Sequence, residues 1–289
     1  MSETVFTGVC TALVTPFLNN EVNYPLIDRL LRAQMDAGIT AVVLAGTTGE
    51  SPTLTDAEKV KIFSRAKQYT GDSCKIIAGT GTNDTAHTVA VSLAAQRAGA
   101  DALLVVSPYY NKGNPDGLYR HYKAVADAVD IPIILYNVPS RTGVDIPVSV
   151  YRRLSEVKNI AGVKEASTDI TKIAGIRASC PDTFHIWSGN DDQIVPVMSL
   201  GGKGVISVLS NILPVQTVAM TDAALSGDFE TAAEIQCSLI PLIEMLFSEV
   251  NPIPVKYAMK YIGFDCGECR LPLGCLSQSA KERIDSFFR

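Results

Sequence analysis

Ala102-Leu-Leu-Val-Val106 and Ile131-Pro-Ile-Ile-Leu135 are two short runs with no polar residue on either face. Such runs fit strands buried on both sides, as in a parallel sheet covered by helices. Working outward, the same signal extends over Ala102–Ser107 and Pro132–Asn137. It recurs at Gly8–Thr15, Ala41–Ala45, Lys75–Gly79, Ile160–Ala166, His185–Ser188 and Gly204–Leu209. Between these segments apolar residues fall at helical spacing, as at Leu26, Leu30, Ala33 and Ala37. Gly38 and Gly99 stand just past two helix ends, where glycine caps the helix and the next strand begins. Eight βα units predict an α/β fold, a closed (β/α)8 barrel. A doubly wound open sheet is the alternative, but no G-x-G-x-x-G follows the first strand. After Ser226-Gly227 the strand signal stops, and helical stretches cover Phe229–Ser248, Val255–Ile262 and Leu276–Phe288. The expected organisation is a catalytic barrel over 1–226 and a helical C-terminal extension over 227–289.

The chain has 289 residues, 47% apolar and 19% charged, which excludes intrinsic disorder and provides for a large core. Its 25 basic residues against 30 acidic ones leave a net charge of −5, no footprint for nucleic acid. No apolar run has the roughly 18 residues of a membrane helix, and Met1-Ser-Glu-Thr does not open a secretory signal. A cytoplasmic chain with no membrane partner is the expectation. Seven cysteines, an odd number, fit a reduced compartment better than a disulfide framework. Cys266-Gly-Glu-Cys269, with Cys275 beyond, has a spacing that zinc or a redox pair could use. None of the three histidines, His87, His121 and His185, lies near it in sequence, so incidental cysteines and no metal are expected.

Barrel enzymes work at the C-terminal ends of their strands. In Ile160-Ala-Gly-Val-Lys-Glu-Ala166, period-two alternation puts Lys164 on the face of Ile160, Gly162 and Ala166 and turns Glu165 the other way. Burying an ammonium without a partner favours the neutral amine, which can attack a carbonyl. The bland alternative is an ion-paired lysine at a strand end. Tyr136 ends the fifth strand and can move a proton, and Arg141 shortly after it can hold a carboxylate. The turn Gly46-Thr-Thr-Gly-Glu-Ser51 presents amides and hydroxyls to an anion, and Tyr109 and Tyr110 stand at the same rim. Lysine, tyrosine, threonine and arginine at strand ends converge on Schiff-base chemistry, in which the iminium is the electron sink and no cofactor is needed.

Gly46-Thr-Thr-Gly-Glu50, Tyr136-Asn-Val-Pro-Ser-Arg-Thr-Gly143 and Gly162-Val-Lys-Glu-Ala166 resemble the signatures of the dihydrodipicolinate synthase family, among the pyruvate-dependent class I lyases. The likeness runs from Gly8 to the C-terminal helices. It implies condensation of pyruvate with L-aspartate 4-semialdehyde to 4-hydroxy-tetrahydrodipicolinate, the step that commits carbon to diaminopimelate and L-lysine. Carried onto this sequence, it makes Lys164 the imine former and Thr47, Tyr110 and Tyr136 a proton relay. Thr48, Gly189 and Ile206 line the pyruvate pocket, and Arg141 holds the semialdehyde carboxylate. Tyr110 reaches into a neighbouring copy, which implies a homo-oligomer: a tetramer built as a dimer of dimers, or a dimer.

Other readings share the scaffold. N-acetylneuraminate lyases usually carry Gly-Ser-Thr-Gly-Glu where this chain has two threonines, and usually lack an arginine at the place of Arg141. An aldolase for a keto-deoxy sugar acid is a third reading. A non-catalytic binding barrel would be free to lose Lys164. Where the resemblance implies a feedback-lysine cavity, Ser51, Asn83 and Tyr109 match, but Lys59 replaces the usual histidine and His87 the usual glutamate. A vestigial cavity with weak or absent lysine inhibition is expected.

Overall fold

The computed structural model describes residues 4–289. Eight parallel strands close into a barrel: β1 (Gly8–Ala12), β2 (Ala41–Leu44), β3 (Lys75–Gly79), β4 (Ala102–Val106), β5 (Ile133–Asn137), β6 (Ile160–Glu165), β7 (His185–Ser188) and β8 (Gly204–Ser207). Each strand pairs with its neighbours in sequence, and β1 pairs with both β2 and β8. The eight expected strands are all present. The first is shorter than the sequence suggests, because the chain leaves it for a small antiparallel pair, Phe17–Leu18 with Glu21–Val22, that no periodicity announced.

Helices α1 (Tyr24–Asp36), α2 (Asp56–Thr70), α3 (Thr85–Arg97), α4 (Pro115–Ala128), α5 (Val148–Leu154), α6 (Ile170–Ser179), α7 (Ile194–Ser199) and α8 (Pro214–Leu225) surround the strands. Their starts follow local rules: Asn23, Asp84, Asn114 and Asp169 cap backbone amides, and Thr55 with Glu58 forms a capping box. Beyond Gly227 come α9 (Phe229–Leu246), α10 (Ile253–Ala258), continued by a 3-10 turn, and α11 (Gln278–Phe287). Leu239, Leu242, Leu246, Val255 and Ile284 of these helices join the apolar layer between barrel and helices.

Alternation along the strands produces two cores. Val42, Ile76, Leu103, Leu135, Val163 and Ile186 face the helices, whereas Cys10, Val43, Ile77, Leu104, Ile134, Tyr136 and Ile206 fill the barrel. Phe6 stacks on Trp187 with ring centroids 5.0 Å apart and closes the interior on the side where β1 enters. One alternation is broken. Ile160, expected on the face of Lys164, belongs to the outer core. The β5–β6 register jumps there, from Ile133 opposite Ile160 to Ile134 opposite Gly162, and the extra residue turns Ile160 outward. Gly162 is required at this approach, since a Cβ would sit 1.9 Å from the His185 carbonyl oxygen.

His121, on α4, is buried, with Nδ1 3.0 Å from the Thr85 hydroxyl. Burial holds its pKa down at about 4. At pH 7 the ring is neutral folded or unfolded; as pH falls below the ordinary value of 6.5, only the unfolded chain takes up the proton, so stability is lost. Urea unfolding should therefore show about 2 kcal/mol less stability at pH 5 than at pH 7 from this group. His121→Gln should flatten that slope; an unchanged slope would contradict the assignment.

Candidate active site

Lys164 lies inside the barrel, 5% exposed, on the strand whose partner register places it opposite Tyr136. Its Nζ sits 4.4 Å from the centroid of the Tyr136 ring. Unlike Lys172 and Lys256, it forms no ion pair among the described residues. Glu165, the next residue, faces outward as alternation requires. There it accepts hydrogen bonds from the Tyr151 hydroxyl at 2.9 Å and Asn137 Nδ2 at 2.7 Å, with Lys172 3.8 Å away. The carboxylate beside Lys164 in sequence is thus committed elsewhere.

Cys10 and Ile206, paired across β1 and β8, belong to the same interior. Burial pushes the Cys10 thiol well above its ordinary range, so it stays protonated near the amine. Gly189 follows β7, where its amide donates to the Glu165 carbonyl at 2.8 Å, and a Cβ would meet that of Ala166 at 2.6 Å. Asp191, two residues on, is buried and marked by nothing local in the sequence. Its Oδ2 accepts the amides of Val208 and Leu209, each at 2.9 Å, and burial raises its pKa. It thereby fixes the loop that leaves β8.

The turn after β2 is closed by Glu50 N–H to Thr47 carbonyl at 3.1 Å and Ser51 N–H to Gly46 carbonyl at 3.1 Å. Among the described residues the Thr47 and Thr48 amides donate to no backbone carbonyl, as a site for an anion requires. Glu50, at φ 57, turns its carboxylate into a fully buried ion pair with Lys256 at 2.8 Å. Lys256 Nζ also donates to the Thr15 and Glu268 carbonyls, each at 3.1 Å, and Glu50 Oε2 accepts the Arg270 amide at 2.9 Å. Asn251, ahead of α10, reaches the same place: its Nδ2 donates to the Thr48 hydroxyl at 3.0 Å, and its carbonyl accepts from Arg141 Nη2 at 3.1 Å. Asn251 and Lys256 escaped the sequence reading, since nothing local marks a contact spanning 203 or 206 residues.

A cavity of about 260 Å³ opens at the ends of β2 to β5. Thr47, Tyr136 and Arg141 line it, as do Ser51, Lys59 and Tyr109. Thr48, Lys164, Gly189 and Ile206 do not, so Tyr136 stands between this cavity and the lysine. Tyr110 is not brought to the others: it is 88% exposed on the loop after β4, held at φ 72. Asn83 and His87 also lie outside the cavity lining. The Asn83 carbonyl accepts from Asn111, and His87 Nε2 sits 2.8 Å from Asp56 Oδ2. Cys266 is buried against Met259, whereas Cys269 and Cys275 border a separate small pocket.

The family model of the dihydrodipicolinate synthetase family matches residues 5–288. The chain belongs to this family. The 4-hydroxy-tetrahydrodipicolinate synthase of Kosmotoga olearia is 47% identical over 283 residues, covering 97% of this chain and 96% of its own. The crystal structure of dihydrodipicolinate synthase from Aquifex aeolicus superposes with a TM-score of 0.96 at 44% identity, covering 98% and 97% of the two chains. A dihydrodipicolinate synthase variant described as monomeric matches with a TM-score of 0.95 at 42% identity, covering 98% and 95%.

In this member of the dihydrodipicolinate synthetase family the C-terminal segment fastens the site from outside the barrel. Removing one partner of a buried pair strands the other charge, so Lys256→Met should cost about 3–5 kcal/mol in urea unfolding. Pairing it with Glu50→Gln should recover part of that loss. A single variant as stable as the parent would show that the pair does not hold the turn.

Proposed function

We propose that the protein, a lyase by family, condenses pyruvate with L-aspartate 4-semialdehyde to 4-hydroxy-tetrahydrodipicolinate, the step that commits carbon to diaminopimelate and L-lysine. The observation that carries the reading is the buried Lys164 amine, without an ion pair among the described residues and facing the Tyr136 ring. The amine attacks the keto carbon of pyruvate and water leaves, giving an iminium in the barrel interior, with the pyruvate carboxylate at the Thr47–Thr48 amides. Loss of a methyl proton gives the enamine, whose carbon attacks the aldehyde. Tyr136, between lysine and cavity, carries protons to and from these steps with Thr47. Arg141, steadied by the Asn251 carbonyl, holds the semialdehyde carboxylate. Attack by the semialdehyde amine on the iminium closes the ring and frees Lys164.

Tyr110 completes the relay from a neighbouring copy. Its 88% exposure and left-handed backbone suit a side chain offered to another subunit. The assembly is a homotetramer built as a dimer of dimers, working in the cytoplasm. Lys59 lines the cavity where a feedback amino acid would bring its own ammonium, so L-lysine is a poor ligand there.

Steady-state turnover of pyruvate should require L-aspartate 4-semialdehyde and be negligible with N-acetylmannosamine. Tyr136→Phe should lower kcat about a hundredfold or more, and L-lysine at millimolar concentration should leave the rate unchanged. Turnover on the sugar aldehyde in preference, or submillimolar inhibition by L-lysine, would contradict the reading.

A further inference from the structure

The chemistry proposed for the barrel leaves Cys266, Cys269 and Cys275 without a task, and the structure separates them. Cys266 is buried against Met259 at 3.8 Å, and burial holds its thiol up at about 12. Cys269 and Cys275 border one small pocket of about 80 Å³, with Cys275 exposed and Cys269 half-buried. Between them the chain turns back, the Leu273 amide donating to the Arg270 carbonyl at 3.1 Å, so the two thiols flank one tight turn. Lys260 and Lys281 stand on the pocket wall, with Glu268 as its single carboxylate. Among the described residues no three metal-ligating side chains converge, so the chemistry open to the pair is that of sulfur. The pocket also backs onto the fastening of the Thr47–Thr48 turn. Lys256 lines it, and Cys269 lies between the Glu268 carbonyl, which accepts from Lys256 Nζ, and the Arg270 amide, which donates to Glu50 Oε2. Burial, and after it the Glu50 carboxylate, push the Cys269 thiol up to about 12, so it stays protonated and the exposed Cys275 is the one that starts an exchange.

We propose that Cys269 and Cys275 form a modification site, a dithiol that exchanges with a small disulfide bearing carboxylates and closes to an internal bond. Lys260 and Lys281 draw the anionic reagent to the pocket. The Cys275 sulfur attacks one sulfur of the reagent; that S–S bond breaks, one small thiol leaves with the proton given up by Cys275, and a mixed disulfide remains. The Cys269 sulfur then attacks the Cys275 sulfur and expels the second small thiol, which takes the Cys269 proton. Two protein thiols are oxidised and one disulfide is reduced to two thiols. The closed bond draws the Cys269 sulfur from Glu50 toward Cys275 and tugs on the Glu268–Arg270 backbone that holds Glu50 and Lys256. It thereby loosens the turn that presents Thr47 and Thr48. The sulfur chemistry is independent of the proposed condensation; only its effect on turnover rests on that reading.

Incubation of the full-length protein with glutathione disulfide, followed by tryptic peptide mapping in the mass spectrometer, tests the site without any assay of activity. Cleavage after Arg270 separates the two thiols, so the internal bond reads as a linked pair of peptides. The parent should give that pair with no glutathione retained on it, and dithiothreitol should reverse it. Cys269→Ser should instead keep one glutathione on Cys275. Mixed disulfides that persist on Cys275 in the parent, bonds that join other cysteines, or thiols left unchanged would overturn the proposal. Cystamine, whose ammonium groups replace the carboxylates, should react about tenfold more slowly once both rates are normalised to those with free cysteine; equal normalised rates would remove the lysines from the account. The linked protein should show a KM for pyruvate raised about threefold or more, restored by dithiothreitol, whereas Cys275→Ser should turn over as the parent does and ignore the treatment. An unchanged KM in the linked protein would overturn the coupling to the turn. If neither redox form consumes pyruvate, the condensation fails, while the peptide map still reads the dithiol.

Discussion

Closing eight strands into a barrel sends alternate side chains into the interior, and Lys164 places its amine there among apolar neighbours. The chemistry proposed for the amine rests on that placement. One residue along the same strand, Glu165 meets the opposite environment: it is also buried, but on the outer face, where Tyr151, Asn137 and Lys172 satisfy it. Two adjacent charges differ in function because the strand alternates, and the bulge at the start of β6 brings Gly162 and Lys164 inward together. The register across β5 and β6 then fixes the phenol of Tyr136 against the amine.

The barrel does not finish the site by itself. The turn that presents Thr47 and Thr48 is irregular, and irregular backbone keeps its shape only when its surroundings determine it. Here the determinants come from the far end of the chain. Lys256 neutralises Glu50 and gathers carbonyls from two other segments, while Asn251 holds Thr48 with its side chain and Arg141 with its backbone. The C-terminal segment is therefore part of the scaffold that holds the turn after β2 and Arg141. The apolar faces of its helices dock on the outer core, and its polar groups set the positions of an anion seat and a guanidinium.

Much of this was legible in the residues. The apolar runs at Ala102 and Ile131 carry the parallel sheet, and glycines after helix ends mark the turns. Alternation orients Lys164 and Glu165 correctly even though it misplaces Ile160. What period and propensity do not encode is pairing at long range. Nothing near Lys256 in sequence says that its partner is Glu50, nothing near Asn251 announces Thr48, and the hairpin at Phe17 is too short to show a period. The task of Asp191, gripping the amides after β8, likewise depends on a neighbouring strand. The family resemblance implied a cavity shared by Lys59, Asn83 and His87. In the structure Lys59 lines the strand-end cavity, whereas His87 lies against Asp56.

The central claim is that the amine of Lys164 forms an imine with pyruvate. Mass spectrometry of the protein incubated with pyruvate and borohydride tests it most directly. The account predicts a single adduct, the mass of pyruvate less one water plus two hydrogens, on the peptide bearing Lys164 and absent in Lys164→Ala. An adduct on another lysine, or none, would contradict it.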